Sequence, residues 1–132
     1  MRYLLDKNIF SDLIRNPQGR VFAHVRRVGE TNVCTSIVVA AELRFGAEKK
    51  GSSRLSRQLQ TVLDAIDVLP LEAPSDAAYA AIRVQLERAG QPIGGNDMLI
   101  AAQTIALGYT LATDNEREFS RVDGLRLENW LR

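Results

Sequence analysis

A short apolar run that stops abruptly at an acid is the feature that most constrains the fold of this chain. Residues 3–5, Tyr-Leu-Leu, predict a short buried strand, and Asp6 follows directly with only polar residues after it. In an open parallel sheet, ligands bind at the carboxyl ends of the strands, so a carboxylate at such an end would face a site. The alternative is a local role, in which Asp6 forms an Asx turn or caps a helix that begins at Ile9.

Helix-like and strand-like segments alternate along the rest of the chain. Helical spacing predicts helices over residues 9–15, 20–28, 36–50, 55–66, 76–89 and 98–107, and short apolar runs predict strands over 32–35, 68–69, 109–112 and 125–127. Ser36 and Ser75 are placed to cap the helices that follow them. This alternation predicts an α/β fold with a central, mostly parallel five-stranded sheet flanked by helices and joined by right-handed crossovers.

Length and composition point to one ordinary globular domain, residues 1–132, with 45% hydrophobic and 25% charged residues. No apolar run approaches the ~20 residues that a bilayer requires, so we expect no contact with a membrane. The chain reaches Asp6 too soon for a secretory signal, and we therefore expect a cytoplasmic location. Cys34, the only cysteine, lies in a strand-like run and is predicted to be a small buried thiol.

Basic residues are concentrated in the first half of the chain, although the net charge is only +1. Such a distribution attracts phosphate backbones, and the alternative is that these side chains simply cover solvated helix faces. The residues concerned are Arg15, Arg20, Arg26, Arg27, Arg44, Lys49, Lys50, Arg54 and Arg57.

Acidic residues occur near several strand ends and helix starts. Glu42 lies beside an apolar helix stripe, where a carboxylate needs a partner. The alternative is a surface pair with Arg44 or with a lysine at the end of the helix. Asp97 enters the first turn of an apolar helix after a flexible loop, and there the alternative is that Asn96 or Asp97 only caps the helix. Three more acids follow the predicted strand 109–112: Asp114, Glu116 and Glu118.

Carboxylates gathered in one crevice repel one another by roughly 4 kcal/mol per pair at 4 Å and an effective dielectric near 20. A fold tolerates this repulsion if a cation lies between the carboxylates. With His24 as the only histidine and one cysteine, zinc is disfavoured and any metal must be held by oxygen, which hard cations such as Mg²⁺ prefer. The pattern favours metal-assisted hydrolysis of phosphodiesters.

Four motifs in order resemble those of the PIN-domain ribonucleases, and most closely those of the VapC toxins of bacterial toxin-antitoxin pairs. The resemblance covers essentially the whole chain and implies a three-layer PIN-like fold. It further implies an endoribonuclease that depends on Mg²⁺ or Mn²⁺ and cuts RNA such as tRNA. The motifs are Leu4-Leu5-Asp6-x-Asn8-Ile9, Ser36 with Glu42-Leu43-x-x-Gly46-Ala47, Asp97-x-x-Ile100-Ala101-Ala102, and Thr113-x-Asn115-x-x-Glu118-Phe119.

The resemblance also implies partners. Members of this family are usually homodimers that a VapB-type antitoxin silences by inserting its carboxyl-terminal segment into the active groove. We accordingly expect a higher hetero-oligomer with the antitoxin, and contact with DNA only through it.

The family's acidic positions fall on Asp6, Glu42 and Asp97, with Asp6 and Asp97 as the expected metal ligands. Glu118 matches the fourth catalytic acid. The other candidates for that position or for supporting hydrogen bonds are Asn8, Thr113, Asp114 and Asn115.

Lys7 is a departure from the family pattern, which usually has Thr or Ser after the first Asp. An ammonium ~4 Å from a carboxylate supplies about 4 kcal/mol at an effective dielectric near 20, similar to the free energy of millimolar metal binding. Lys7 would then compete with the metal, so we expect this sequence to be weakened or inactive as a nuclease.

Two other functions fit parts of the pattern. Phosphoryl transfer through an aspartyl nucleophile at Asp6 is disfavoured because haloacid-dehalogenase-type sites need an acid where this chain has Asn8. A catalytically inactive PIN-like module that only binds an antitoxin is favoured by Lys7 alone.

Overall fold

A parallel five-stranded sheet forms the centre of the molecule. The structure is a computed structural model that describes every residue from Met1 to Arg132. The strand order is β3-β2-β1-β4-β5, and all four pairings are parallel. The strands are β1 (Tyr3–Leu5), β2 (Val33–Ser36), β3 (Asp67–Leu69), β4 (Thr110–Ala112) and β5 (Arg126–Glu128).

Seven helices connect and cover the strands. They are α1 (Lys7–Arg15), α2 (Arg20–Val28), α3 (Ile37–Lys50), α4 (Ser53–Ala65), α5 (Ser75–Ala89), α6 (Gly95–Leu107) and α7 (Glu116–Phe119), with one 3₁₀ turn at Glu30–Asn32. None of these helices has the length and apolar character that crossing a membrane would require.

The two faces of the sheet carry separate hydrophobic cores. Because neighbouring side chains on a strand point to opposite faces, Leu5 and Ala112 enter a core with α1, α2, α3 and α4, whereas Leu4 and Leu111 enter a core with α5 and α6. The fold is therefore a three-layer α/β/α arrangement. The predicted fold class is confirmed, and the sheet is parallel throughout.

The differences from the local predictions include two wrong assignments and one helix that was not predicted. Helix α1 begins at Lys7 and not at Ile9, because the Asp6 side chain accepts a hydrogen bond from the Lys7 backbone and so starts the helix earlier. Ser75 was expected to cap a helix over residues 76–89. It is instead the buried first residue of α5, and Pro74 is the N-cap. Helix α7 was not predicted, because its four residues are too few to show a period.

The carboxyl-terminal segment completes the first core. The Trp130 side chain is fully buried, and its ring stacks on His24 at a centroid distance of 5.1 Å and lies 5.4 Å from the ring of Tyr3. Its indole N–H donates to Glu128 Oε1 at 3.0 Å, so the polar end of the ring is satisfied. The last residues of the chain are thus part of its hydrophobic core.

Truncating this ring tests that assignment. We expect Trp130→Ala to lower the free energy of unfolding by about 3–5 kcal/mol, because it removes a buried aromatic side chain and leaves a cavity. Urea unfolding measures the change, with Leu107→Ala at an exposed position as the control. Equal stability of the two variants would show that the tail is not part of the core.

Candidate active site

Asp6 lies at the carboxyl end of the central strand β1 and is 7% exposed. Its Oδ1 accepts a hydrogen bond from the Lys7 backbone N–H at 2.8 Å, and its Oδ2 accepts one from Thr113 Oγ1 at 2.8 Å. The Asp6 carboxylate caps α1 and also lines a pocket, so both of the roles predicted for it are present.

Thr113 reaches Asp6 because β4 lies directly beside β1 in the sheet. It is fully buried, directly follows β4, and its hydroxyl also accepts a hydrogen bond from the Asn115 backbone N–H at 3.0 Å. One hydroxyl therefore joins the Asp6 carboxylate to the loop that carries the later acids.

An open pocket of about 290 Å³ lies in front of these strand ends, and no hydrophobic residue lines it. Residues distant along the chain meet there, on α1, α3, α6 and the loop after β4. The lining residues are Asp6, Lys7, Asn8, Glu42, Asp97, Asp114 and Asn115.

Glu42 projects from α3 into this pocket and is half-buried, with an Oε1 atom that has no hydrogen-bond partner. Burial raises the pKa of its carboxyl group, the charge of Lys7 lowers that pKa and the charge of Asp6 raises it. The proposed surface pair with Arg44 is not formed, because the Arg44 guanidinium donates to Gln60 at 2.9 Å. The unpartnered oxygen is costly in the absence of a cation.

Asp97 lies in the first turn of α6, whose N-cap is Gly94. Neither Asn96 nor Asp97 is the N-cap, so the capping alternative is wrong. Burial raises the pKa of Asp97 to about 6, and the negative charges of Asp6, Glu118 and Glu42 raise it in the same direction. The four acids are thus close enough to repel one another.

Glu118 acts on Asp97 from the short helix α7. The negative charge of Glu118 helps to raise the pKa of Asp97, after burial and the charge of Asp6. Glu118 Oε2 also accepts from Asn115 Nδ2 at 3.3 Å, which fixes its position. Asp114 is exposed, and its Oδ1 accepts a hydrogen bond from Asn129 Nδ2 at 3.0 Å.

Lys7 is exposed at the start of α1 and lines the pocket. Its charge lowers the pKa of Asp6 and of Glu42, but burial raises the pKa of each group more strongly. The ion pairs within 4.0 Å are Arg2–Asp67, Arg27–Glu128 and Arg83–Glu87, so the Lys7 ammonium forms none with the acids.

Two polar residues that act on the acids of the site were not predicted from the sequence. The Asn96 side chain lowers the pKa of Glu42, and Asn129 in the carboxyl-terminal segment donates hydrogen bonds to both Asp114 and Glu116. Asn96 could have been predicted from its position next to Asp97. No sequence pattern pointed to Asn129.

The donor set fits a hard cation held partly through water. The pocket offers carboxylate and amide oxygens, which are the ligands that such a cation prefers. A positive ion would give the unpartnered Glu42 Oε1 a partner and would favour the ionised form of Asp97, whose pKa is raised. His24 stacks on Trp130 and does not line the pocket. No three acidic, histidine or cysteine side chains are close enough together to hold a metal ion by themselves.

Known proteins match this chain over almost its whole length. The model of the PIN domain family matches residues 3–125. The ribonuclease VapC2 of Rickettsia felis is 34% identical, and the tRNA(fMet)-specific endonuclease VapC of Shigella flexneri is 35% identical; each alignment covers 98% of both chains.

Solved structures agree with these sequence matches. The VapBC2 complex of Rickettsia felis, crystallised with a DNA fragment from its promoter, contains a chain that superimposes with a TM-score of 0.92 at 33% identity and covers 98% of this chain and 99% of its own. VapBC-1 from nontypeable Haemophilus influenzae gives a TM-score of 0.87 at 29% identity over 100% of both chains. This chain therefore belongs to the PIN domain family, in its VapC group.

Proposed function

We propose that this chain is the toxin of a VapBC-type pair and an endoribonuclease that hydrolyses RNA phosphodiester bonds with the help of a divalent cation, Mg²⁺ or Mn²⁺. The observation that carries the proposal is the acidic pocket at the carboxyl edge of the sheet, in a chain that matches named ribonucleases along its full length. The name of the Shigella relative makes tRNA the first substrate to test.

Asp6 and Asp97 are the proposed metal ligands, with Glu42 and Glu118 completing the acidic set. Since no three side chains approach closely enough to hold an ion alone, water and a substrate phosphate oxygen would fill the remaining positions, as Mg²⁺ prefers. When bound, the cation would lower the pKa of a water molecule and offset charge on the phosphate.

The protein's own groups orient the reaction and handle its proton. Thr113 and the Lys7 backbone N–H fix the orientation of Asp6, while Asn115 fixes Glu118. We assign acceptance of the proton from the attacking water to Glu118, an acid of this set that is not a proposed metal ligand and that Asn115 holds in place.

The proposed partners follow from the relatives. Structures similar to this chain are complexes of VapB with VapC, one of them bound to promoter DNA. We propose that this chain likewise pairs with a VapB-type antitoxin. We further propose, from its membership in the VapC group, that it forms a homodimer, is inhibited by the antitoxin, contacts DNA only through it and acts in the cytoplasm.

Removing one acid tests the proposed chemistry. We expect Asp97→Asn to lower kcat/KM for RNA cleavage in Mn²⁺ by about 10²-fold or more, because a charged metal ligand is lost. Gel analysis of RNA ends measures the change. Asp123→Asn, at an exposed position outside the pocket, is the control, and equal rates for both variants would exclude a catalytic role for Asp97.

The acidic set also predicts a pH dependence of stability without metal. Asp97 has a pKa of about 6 in the folded chain against an ordinary value of 3.8, so the folded state binds more protons between these values. The destabilising effect of its ionisation is then absent below about pH 4 and complete above about pH 6. In chelator, the free energy of unfolding of the unsubstituted protein should fall with rising pH relative to Asp97→Asn. Parallel pH profiles would contradict this.

Lys7 is expected to weaken the metal site. We expect Lys7→Thr to bind Mn²⁺ and to cleave RNA about tenfold better, equivalent to ~1.4 kcal/mol, because an ammonium beside the acids competes with the cation. Lys49→Thr, outside the pocket, is the control. Equal and robust rates before and after the Lys7 change would remove the idea, whereas antitoxin binding without cleavage in either form would favour the inactive binding module.

A further inference from the structure

The Asn129 side chain joins the carboxyl-terminal segment to the loop that follows β4. Its Nδ2 donates one hydrogen bond to Asp114 Oδ1 at 3.0 Å and one to Glu116 Oε2 at 3.1 Å. Because an amide nitrogen carries two protons, one side chain serves both carboxylates. Asp114 and Glu116 lie on either side of Asn115 in the chain. The two hydrogen bonds therefore hold both neighbours of Asn115.

Asn115 connects this loop to two acids of the site. Its Nδ2 donates to Glu118 Oε2 at 3.3 Å, and its backbone N–H donates to Thr113 Oγ1 at 3.0 Å. The same Thr113 hydroxyl donates to Asp6 Oδ2 at 2.8 Å. Thr113 is fully buried at the end of β4, whereas Glu118 lies on a helix of only four residues. A shift of Asn115 would therefore displace Glu118, the proposed proton acceptor, and leave Asp6 in place.

Asn129 is itself held in a fixed position. It lies between Glu128, the last residue of β5, and Trp130, whose side chain is fully buried. Its Oδ1 accepts a hydrogen bond from the Leu131 backbone N–H at 2.9 Å, which sets the orientation of the amide plane. The Glu128 carbonyl accepts a hydrogen bond from the Thr113 backbone N–H at 2.9 Å. The sheet, the hydrophobic core and a local turn thus all support the Asn129 amide.

Asp114 and Glu116 need a shared donor because their charges repel. Both side chains are exposed, and neither forms an ion pair within 4.0 Å. Since both carboxylates approach the same nitrogen, two like charges lie close together within residues 114–116. Loss of the donor between them would leave that repulsion to push the two neighbours of Asn115 apart. Asn129 offsets the repulsion with both of its amide protons.

We propose that Asn129 is a positioning residue for the nuclease reaction: its amide, bonded to both neighbours of Asn115, holds Glu118 where it accepts the proton of the attacking water. The proposal rests on the ribonuclease function proposed above. Asn129 does not line the acidic pocket, so it acts on the rate of the chemical step and not on the binding of RNA or metal. A misplacement of ~1 Å that arises away from the reacting atoms can lower a rate about 10²-fold.

Asn129→Asp tests the proposal with a side chain of the same shape. An aspartate keeps an oxygen for the Leu131 backbone N–H but replaces the shared donor with a third negative charge. In a Lys7→Thr background with Mn²⁺, we expect kcat for RNA cleavage to fall about tenfold, while KM and the Mn²⁺-induced rise in melting temperature stay unchanged. The double change Asn129→Asp/Asp114→Asn should restore most of the lost rate, because it exchanges the donor and the acceptor of one hydrogen bond.

Gln85→Ala is the matched control. The Gln85 amide on α5 donates to the Arg121 carbonyl at 2.7 Å and accepts from the Asp123 backbone N–H at 3.1 Å, in the segment after α7. This variant removes two hydrogen bonds near the other end of α7 and leaves residues 114–116 untouched. We expect it to melt at a lower temperature with an unchanged kcat. An equal fall of kcat in both variants would show a general loosening of the chain and would overturn the proposal.

Hydrogen exchange distinguishes failure of this proposal from failure of the nuclease function. In NMR experiments with chelator and without RNA, the Asn115 backbone N–H should exchange about tenfold faster in Asn129→Asp and at the unsubstituted rate in Gln85→Ala. If no form of the chain cuts RNA but this difference is found, the nuclease function fails, and Asn129 still holds the loop that places Glu118. An unchanged exchange rate at Asn115, or an unchanged kcat in Asn129→Asp, would overturn the assignment of Asn129.

Discussion

Repulsion between carboxylates that the fold holds at one edge of its sheet is the interaction on which the rest of the site depends. Asp6, Glu42, Asp97 and Glu118 come from four separate parts of the chain. Burial first, and then the charges of the other three acids, raise the pKa of Asp97 to about 6. Two unit charges at 4 Å repel by about 4 kcal/mol even at an effective dielectric near 20. The fold must offset that cost elsewhere, and a cation in the pocket would remove it.

The sheet holds the acids together because its central strand is fixed on both sides. β1 pairs with β2 and β4, so the elements that follow these three strands all begin at the same edge. Asp6 gains two hydrogen bonds there, and Ser36 at the end of β2 caps α3, which then carries Glu42 toward the pocket. Two hydrophobic cores, one on each face of the sheet, stabilise this arrangement.

Much of this architecture was predictable from the sequence because its signals are local. The run before Asp6, the Ser36 cap and the apolar helix after Asp97 each have a clear period or boundary, and all are present. The contacts that complete the site are not local. The bond from Thr113 to Asp6 spans 107 residues, and Asn129 reaches Asp114 from the carboxyl-terminal segment. Neither contact leaves a periodic signal in the sequence.

The protonation of the acids and the ion pairing of Lys7 could not be predicted from the sequence either. The effect of the Glu118 charge on Asp97 and the unpartnered Glu42 Oε1 depend on three-dimensional distances. Lys7 lies farther from the acids than the ~4 Å that a direct ion pair needs. The sequence did show which residue types could meet. It could not show that burial, more than any single neighbour, raises the pKa values of Asp6, Glu42 and Asp97.

A thermal unfolding titration with Mn²⁺ tests the central claim most directly, applied to the unsubstituted protein and to a triple variant, Asp6→Asn/Glu42→Gln/Asp97→Asn. The account predicts that Mn²⁺ raises the melting temperature of the unsubstituted protein and not that of the triple variant, because the variant lacks both proposed metal ligands and three of the four acidic charges. An equal rise in both proteins, or no rise in either, would contradict a cation site built from these acids.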